Sequence, residues 1–317
     1  MGSFYDILST QLLLVALMGV GVVIAKTGLV DKQGTATLSG LVLNLLLPCN
    51  ILSSFFDSGG RDMLFVLGQI MIISACVTMA AYFLGKYVFF RSQPLEQQKV
   101  LRYGILISNA AYLGNPVIES IYGLSGLIYA SAFLMPMRLI MWSLGLAIFT
   151  GKGDGPGAGI KKIILHPCLV ATYAGLVILV SGWKPPALIN RLVFTVGDCT
   201  TPFSMIVVGL ILARIQLRNI ITKTVLYYTF LRLLFIPLML LGVLLLLNAD
   251  FLRIDPLVMG IAVALTGMPA PAAASIMANK YHSDSELASK MLLVSVLLSM
   301  LTIPAWVILI RAITLGA

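Results

Sequence analysis

The amino-acid sequence predicts an all-α polytopic membrane protein: ten transmembrane helices in two inverted five-helix repeats, with helices 4 and 9 broken and crossed. Three observations carry that reading. The 317 residues are 59% hydrophobic and 10% charged, with mean hydropathy +1.02, whereas a soluble domain carries about 25% charged residues. Apolar runs long enough to cross a bilayer recur along the whole chain. Two of these runs carry proline in mid-run, at Gly114-Asn115-Pro116 and at Pro269 and Pro271.

The candidate spans fall at 7–25, 37–56, 63–85, 100–121, 125–149, 163–182, 189–211, 224–247, 255–278 and 288–310. The seventh is the weakest, because Asp198, Cys199, Thr200 and Thr201 interrupt it. The first run has no basic segment before it and no small-residue cleavage site after it, so it reads as a retained helix rather than a signal peptide. Fourteen Lys and Arg fall in one set of alternate loops, against Arg61, Lys184, Arg191, Arg253 and Arg311 in the other. Arg138 and Arg232 lie within helices. The basic set belongs in the cytoplasm, which puts both termini outside the plasma membrane. The net charge of +9 is spread between apolar runs and forms no nucleic-acid patch.

The Gly-rich segment Thr150–Lys162 divides the spans five and five. An odd number per half requires the halves to enter the membrane with opposite orientation. This places a first repeat at 1–149, a cytoplasmic linker at 150–162 and a second repeat at 163–317. Spacing supports the repeat: Asn44-x-x-x-Pro48 in helix 2 parallels Asp198-x-x-x-Pro202 in helix 7. Pro48 precedes Pro116 by 68 residues, and Pro202 precedes Pro269 by 67.

A proline inside a spanning helix removes one backbone donor and clashes with the preceding turn. The freed groups must be covered by protein or by a water-filled cavity. Paired broken helices in matching places of two halves point to a transporter's binding site. There the half-helix N-termini offer amides to a carboxylate. Ser108, Asn109, Tyr112 and Asn115 add side chains in helix 4; Thr266 and the backbone around Met268, Pro269 and Ala270 add groups in helix 9. Asn44, Pro48 and Asn50 of helix 2 face the same cavity or serve helix packing. Arg138 has apolar residues on both sides, so it reads either as an anion partner for substrate or as half of an ion pair with Glu119 or Asp198. Asp198 reads as a proton or cation site, or as a cap. Arg232 is nearer a helix end and is expected to snorkel.

Other chemistries find no support. Gly151-Lys-Gly-Asp154 and Tyr5-Asp6 spell fragments of intramembrane aspartyl proteases, but neither aspartate falls inside a span. No Walker lysine, HExxH or carboxylate cluster occurs, and the four cysteines form no CxxC pair. His166 and His282 are far apart at helix ends. The expectation is a chain without enzymatic activity, metal or cofactor.

Four stretches carry a family resemblance over essentially the whole chain: LVLNLLLPCNILSSFF (41–56), SNAAYLGNPVIESIYG (108–123), VGDCTTPFSMIVVGLIL (196–212) and MPAPAAASIMANKY (268–281). They resemble the auxin efflux carrier family, which includes plant auxin carriers and bacterial malonate carriers. The resemblance implies a scaffold of helices 1, 2, 6 and 7 and a mobile transport domain of helices 3–5 and 8–10. It also implies elevator-type alternating access, a homodimer, and a substrate-binding asparagine at Asn109 with the crossing proline at Pro269. Arg138 stands where plant carriers are expected to hold a neutral polar residue, and Asp198 where small or amide residues are common. The linker is too short for their cytoplasmic domain. These departures indicate a compact, bacterial-type member. The function expected is secondary transport of a small organic anion, an auxin-like aromatic acid or a dicarboxylate. The alternatives are a sodium-coupled carrier of the bile-acid symporter type and a ligand sensor through which nothing crosses.

Overall fold

The computed structural model describes residues 4–56, 63–89, 94–150, 165, 167–214, 220–250 and 254–315. The Gly-rich linker from 151 onward, with Asp154, and His166 lie outside the described residues. Among the described residues the protein is helical and contains no strand, and it is a polytopic membrane protein. Six stretches are long and apolar enough to cross a membrane: Lys32–Phe56, Leu64–Val88, Leu95–Ile140, Ala187–Leu212, Lys223–Asn248 and Ser285–Ile310. Pro167–Ser181 and Pro256–Thr266 are shorter apolar helices, and Leu12–Lys26 is the apolar part of a helix that begins at Phe4.

In chain order the helices are α1 (Phe4–Lys26), α2 (Lys32–Leu41), α3 (Leu47–Phe56), α4 (Met63–Val88), α5 (Leu95–Leu106), α6 (Asn115–Ile140), α7 (Leu146–Thr150) and α8 (Pro167–Ser181). There follow α9 (Ala187–Gly197), α10 (Thr200–Leu212), α11 (Lys223–Phe230), α12 (Ile236–Asp250), α13 (Pro256–Thr266), α14 (Ala273–Lys280) and α15 (Ser285–Leu315). Four π turns, Val42–Leu46, Ala110–Gly114, Met141–Gly145 and Leu231–Phe235, interrupt the α geometry.

Local chemistry sets these boundaries. Asp31, Thr222 and Asp255 cap α2, α11 and α13, each accepting from a first-turn amide. Pro256 follows its cap directly, where its missing N–H costs nothing. Inside α6, Gly123 takes φ 70°, so the run is two helices meeting at a kink, in the predicted gap between spans four and five. Pro237 cannot donate to Leu233, and the Trp306 indole supplies that carbonyl with a replacement bond of 2.8 Å.

Burial is inverted relative to a protein built for water. Large apolar side chains such as Phe65, Leu188, Leu246 and Leu301 point outward, more than 70% exposed. Ser74, Thr78, Asn109, Asn115 and two arginines are buried. A lipid solvent accounts for both facts, since hydrocarbon accepts leucine and punishes an unpaired amide.

The helices pack in two groups, which meet where α6 lies against α3 and α15 lies against α1. α1 lies against α10, and α3 lies against α8 and α9. The second group brings α4 against α5, α6 and α13, and α15 against α5, α11, α13 and α14. Glycines permit the closest approaches in the first group. Gly175 faces the Phe55 ring, and Gly197 abuts the backbone of Asn50.

Candidate functional site

Both predicted broken helices are present, and they meet. The first breaks at 107–109, upstream of Gly114-Asn115-Pro116, which continues helically from a π turn into α6 because proline is tolerated in a first turn. α5 ends at Leu106, Ile107 adopts extended geometry, and a π turn from Ala110 leads into α6. α13 ends at Thr266, and the chain runs without helical geometry to α14. The Asn109 amide donates to the Pro269 carbonyl at 2.9 Å, so the two breaks are joined backbone to backbone. That bond satisfies one group on each strand where hydrocarbon could satisfy neither.

The ends of α5 and α13 bring unpaired carbonyls, and with them partial negative charge, to one place. Side chains from α11, the adjoining π turn and the break itself meet that demand. The Tyr228 hydroxyl donates to Gly104 O at 3.0 Å, and Ser108 Oγ donates to Leu265 O at 3.2 Å. Arg232 donates Nη1 to Ile105 O at 2.8 Å and Nε to Met268 O at 3.0 Å, bridging both breaks.

This corrects the expectation that Arg232 snorkels: it is 3% exposed. Two features move it inward. The π turn Leu231–Phe235 changes the angular spacing of the residues it contains, and two converging C-termini attract a cation. Beside it lies a cavity of about 10 Å³ bordered by Thr78, Ser108, Arg232 and Thr266, room for about one water.

Other polar side chains at the crossing are unsatisfied. Asn109 is 3% exposed and Asn115 1%, yet Asn109 Nδ2 and both polar side-chain atoms of Asn115 have no hydrogen-bond partner among the described residues. Pro116, Met268, Pro269 and Ala270 are buried beside them, and Ala270 N donates to Ser295 Oγ at 2.9 Å. Tyr112, half-buried, turns its hydroxyl toward Ser39 of α2. Buried amide donors without acceptors are costly. They are the groups a bound carboxylate would satisfy.

A family model described as membrane transport protein matches residues 7–307. The chain belongs to this auxin efflux carrier-like family of membrane transport proteins. An uncharacterized transporter of Methanothermobacter thermautotrophicus is 26% identical over 310 residues, covering 96% of this chain and 98% of its own. The uncharacterized transporter YfdV of Escherichia coli K12 is 25% identical, covering 86% of this chain and 88% of its own. A Rhizobium meliloti protein named "Putative malonate transporter" is 24% identical, covering 71% of each.

The transporter's remaining candidate residues separate in space. Arg138 is 7% exposed and lies beside the Cys168 thiol of α8. It pairs with neither Glu119 nor Asp198 among the described residues. Glu119 instead accepts from Asn50 and Thr201. Asp198 is exposed at the turn between α9 and α10. Asn44 is exposed while Asn50 is buried, since six residues on a helix turn a side chain well away from its starting face.

Proposed function

We propose that this membrane transport protein is a secondary transporter of small organic anions, binding its substrate where the two broken helices cross. The carrying observation is the pair of buried amides, Asn109 and Asn115, whose donors lack acceptors among the described residues, at the crossing tied by the Asn109–Pro269 bond. Amides of the first turn after each break add to that donor set. Arg138, buried without an ion-pair partner among the described residues, supplies positive charge to the same transport route. The family supports transport as such, and the malonate in one relative's name supports a dicarboxylate.

In this reading α5, π turn 110–114 and the first part of α6 form broken helix 4, and α13 and α14 form broken helix 9. Helices 1, 2, 6 and 7 (α1, α2–α3, α8 and α9–α10) act as the scaffold. The rest moves as the transport domain, carrying the crossing past the scaffold in an elevator step. The two packing groups support this division, and an inverted five-helix repeat accounts for the matched breaks. The scaffold pairs with that of a second copy in the plasma membrane, with both termini outside.

The test is uptake of labelled malonate and indole-3-acetate by proteoliposomes, without sodium. Asn109→Ala should weaken binding about tenfold or more, the effect of a lost hydrogen bond to a charged group. Unchanged affinity would move the site elsewhere. Arg138→Gln should reduce flux at low substrate concentration at least as strongly, while altering thermal stability less than a change at Arg232. Equal flux in that variant would remove Arg138 from the route. Uptake that requires sodium would favour the bile-acid symporter type.

A further inference from the structure

We propose that Glu119 is a proton-carrying site that couples a proton to movement of the transport domain; this deepens the reading above and rests on it. Glu119 lies one helical turn beyond Asn115 on α6, so it shares a face with the candidate anion site. Its carboxyl group reaches out of α6 to the other packing group. Asn50 Nδ2 on α3 donates to Oε1 at 3.3 Å and to Oε2 at 3.1 Å, and Thr201 Oγ1 on α10 donates to Oε2 at 3.1 Å. The same Asn50 nitrogen donates to Gly197 O at 3.2 Å. Gly197 allows this approach, because a Cβ there would stand 3.0 Å from Asn50 Cα.

Among the described residues every donor to this carboxyl group is neutral. Glu119 makes no ion pair among the described residues, and the charged group facing it is another carboxylate, Asp198, from the α9–α10 turn. A carboxylate inside a membrane protein that lacks a cation is commonly a proton carrier. The surroundings also hold the acceptor that a protonated Glu119 requires. Asn50 Oδ1 is buried without a partner, and so is Thr200 Oγ1. Protonating the carboxyl group weakens the bonds from Asn50 and Thr201, since each donor then faces a neutral acid instead of a carboxylate.

The bonds from Glu119 cross the boundary along which the transport domain must slide. They hold one end state as a carboxylate, and they must break in transit. A proton arriving from the side on which the site is open forms the O–H bond on Glu119. It travels with the anion, is released to water on the far side, and leaves Glu119 to rebind Asn50 and Thr201. The cargo then crosses with one less negative charge.

Two measurements decide this. In pH-difference infrared spectra of the lipid-reconstituted protein, a protonated-carboxyl stretching band should titrate. Glu119→Gln should abolish it, and Thr201→Val, which deletes one donor to the carboxylate, should move its midpoint to higher pH. In proteoliposomes at zero membrane potential, each unit of inwardly directed proton gradient should raise malonate accumulation up to about tenfold. Glu119→Gln should lose that dependence and retain malonate–malonate exchange. A titrating band unaltered by Glu119→Gln, or gradient-driven accumulation that survives it, would overturn the proton site. Since the infrared titration needs no substrate, a band that behaves as expected while the wild type moves no malonate would support Glu119 and count against the substrate reading alone.

Discussion

Arg232→Met should unfold the protein at a markedly lower temperature than any other single change at the crossing. The arginine is 3% exposed and its two bonds, to Ile105 O and Met268 O, tie the break after α5 to the break after α13. Methionine fills similar volume but donates nothing, so two carbonyls at converging helix C-termini lose their partner. Hydrogen bonds to a charged group contribute about 1.5–3 kcal/mol each, which puts the loss at about 3–6 kcal/mol. Arg232→Lys should recover less than half of this. An ammonium is a compact point charge, while the guanidinium spans two acceptors with a planar fork. Thermal unfolding in detergent reads the effect directly. A Met variant melting with the wild type would mean that the crossing is held by its backbone bond alone. Tyr228→Phe, which releases only Gly104 O, should cost about 1 kcal/mol.

That arginine also marks where sequence reading stops. The membrane class and the presence of two broken helices were legible from local chemistry, namely apolar run length and a missing proline donor. The roles expected of Asn109 and Pro269 came from the family resemblance, and the first break lies upstream of Pro116. The direction in which Arg232 points was not legible, since it depends on a π turn that no residue pattern announces. Glu119 illustrates a second limit. Its intramembrane charge demanded a partner, and Arg138 was the natural candidate. Which helices are neighbours decides the pairing instead, and α6 meets α3 and α10 at Glu119. Of the two roles open to Asn44 and Asn50, a shared cavity or helix packing, their spacing disfavours the first, since it puts them on different helix faces. Helix lengths were partly legible: among the described residues six stretches reach full spanning length, while α13 stops short of the run expected for span nine because Gly267 through Pro271 break it.

Gly209→Val should be nearly as damaging, by a different route. An ideal Cβ at Gly209 would stand 2.0 Å from Met18 O, and one at Gly21 would stand 2.1 Å from Ile206 O. Each glycine lies 3.0 Å from where the other's Cβ would point, so α1 and α10 touch backbone to backbone. Association inside a bilayer gains nothing from excluding lipid from leucine, and small residues that permit close packing and Cα–H···O contacts carry it. The obstacles are carbonyl groups of helices and cannot rotate aside, so the helices must separate. Overpacking of a tight contact costs about 1–3 kcal/mol, and more where backbone must move. Gly19, two residues from Gly21, has open space around it. Gly19→Ala should therefore be neutral or stabilise by up to about 1 kcal/mol through helix propensity. Gly21→Ala and Gly209→Ala should be non-additive, because both push on one contact and the first separates the helices for the second. If α1 and α10 belong to a stationary scaffold, these variants lower thermal stability and leave the substrate affinity of the surviving protein near that of wild type. Weakened substrate binding at unchanged stability would place this helix pair within the moving part.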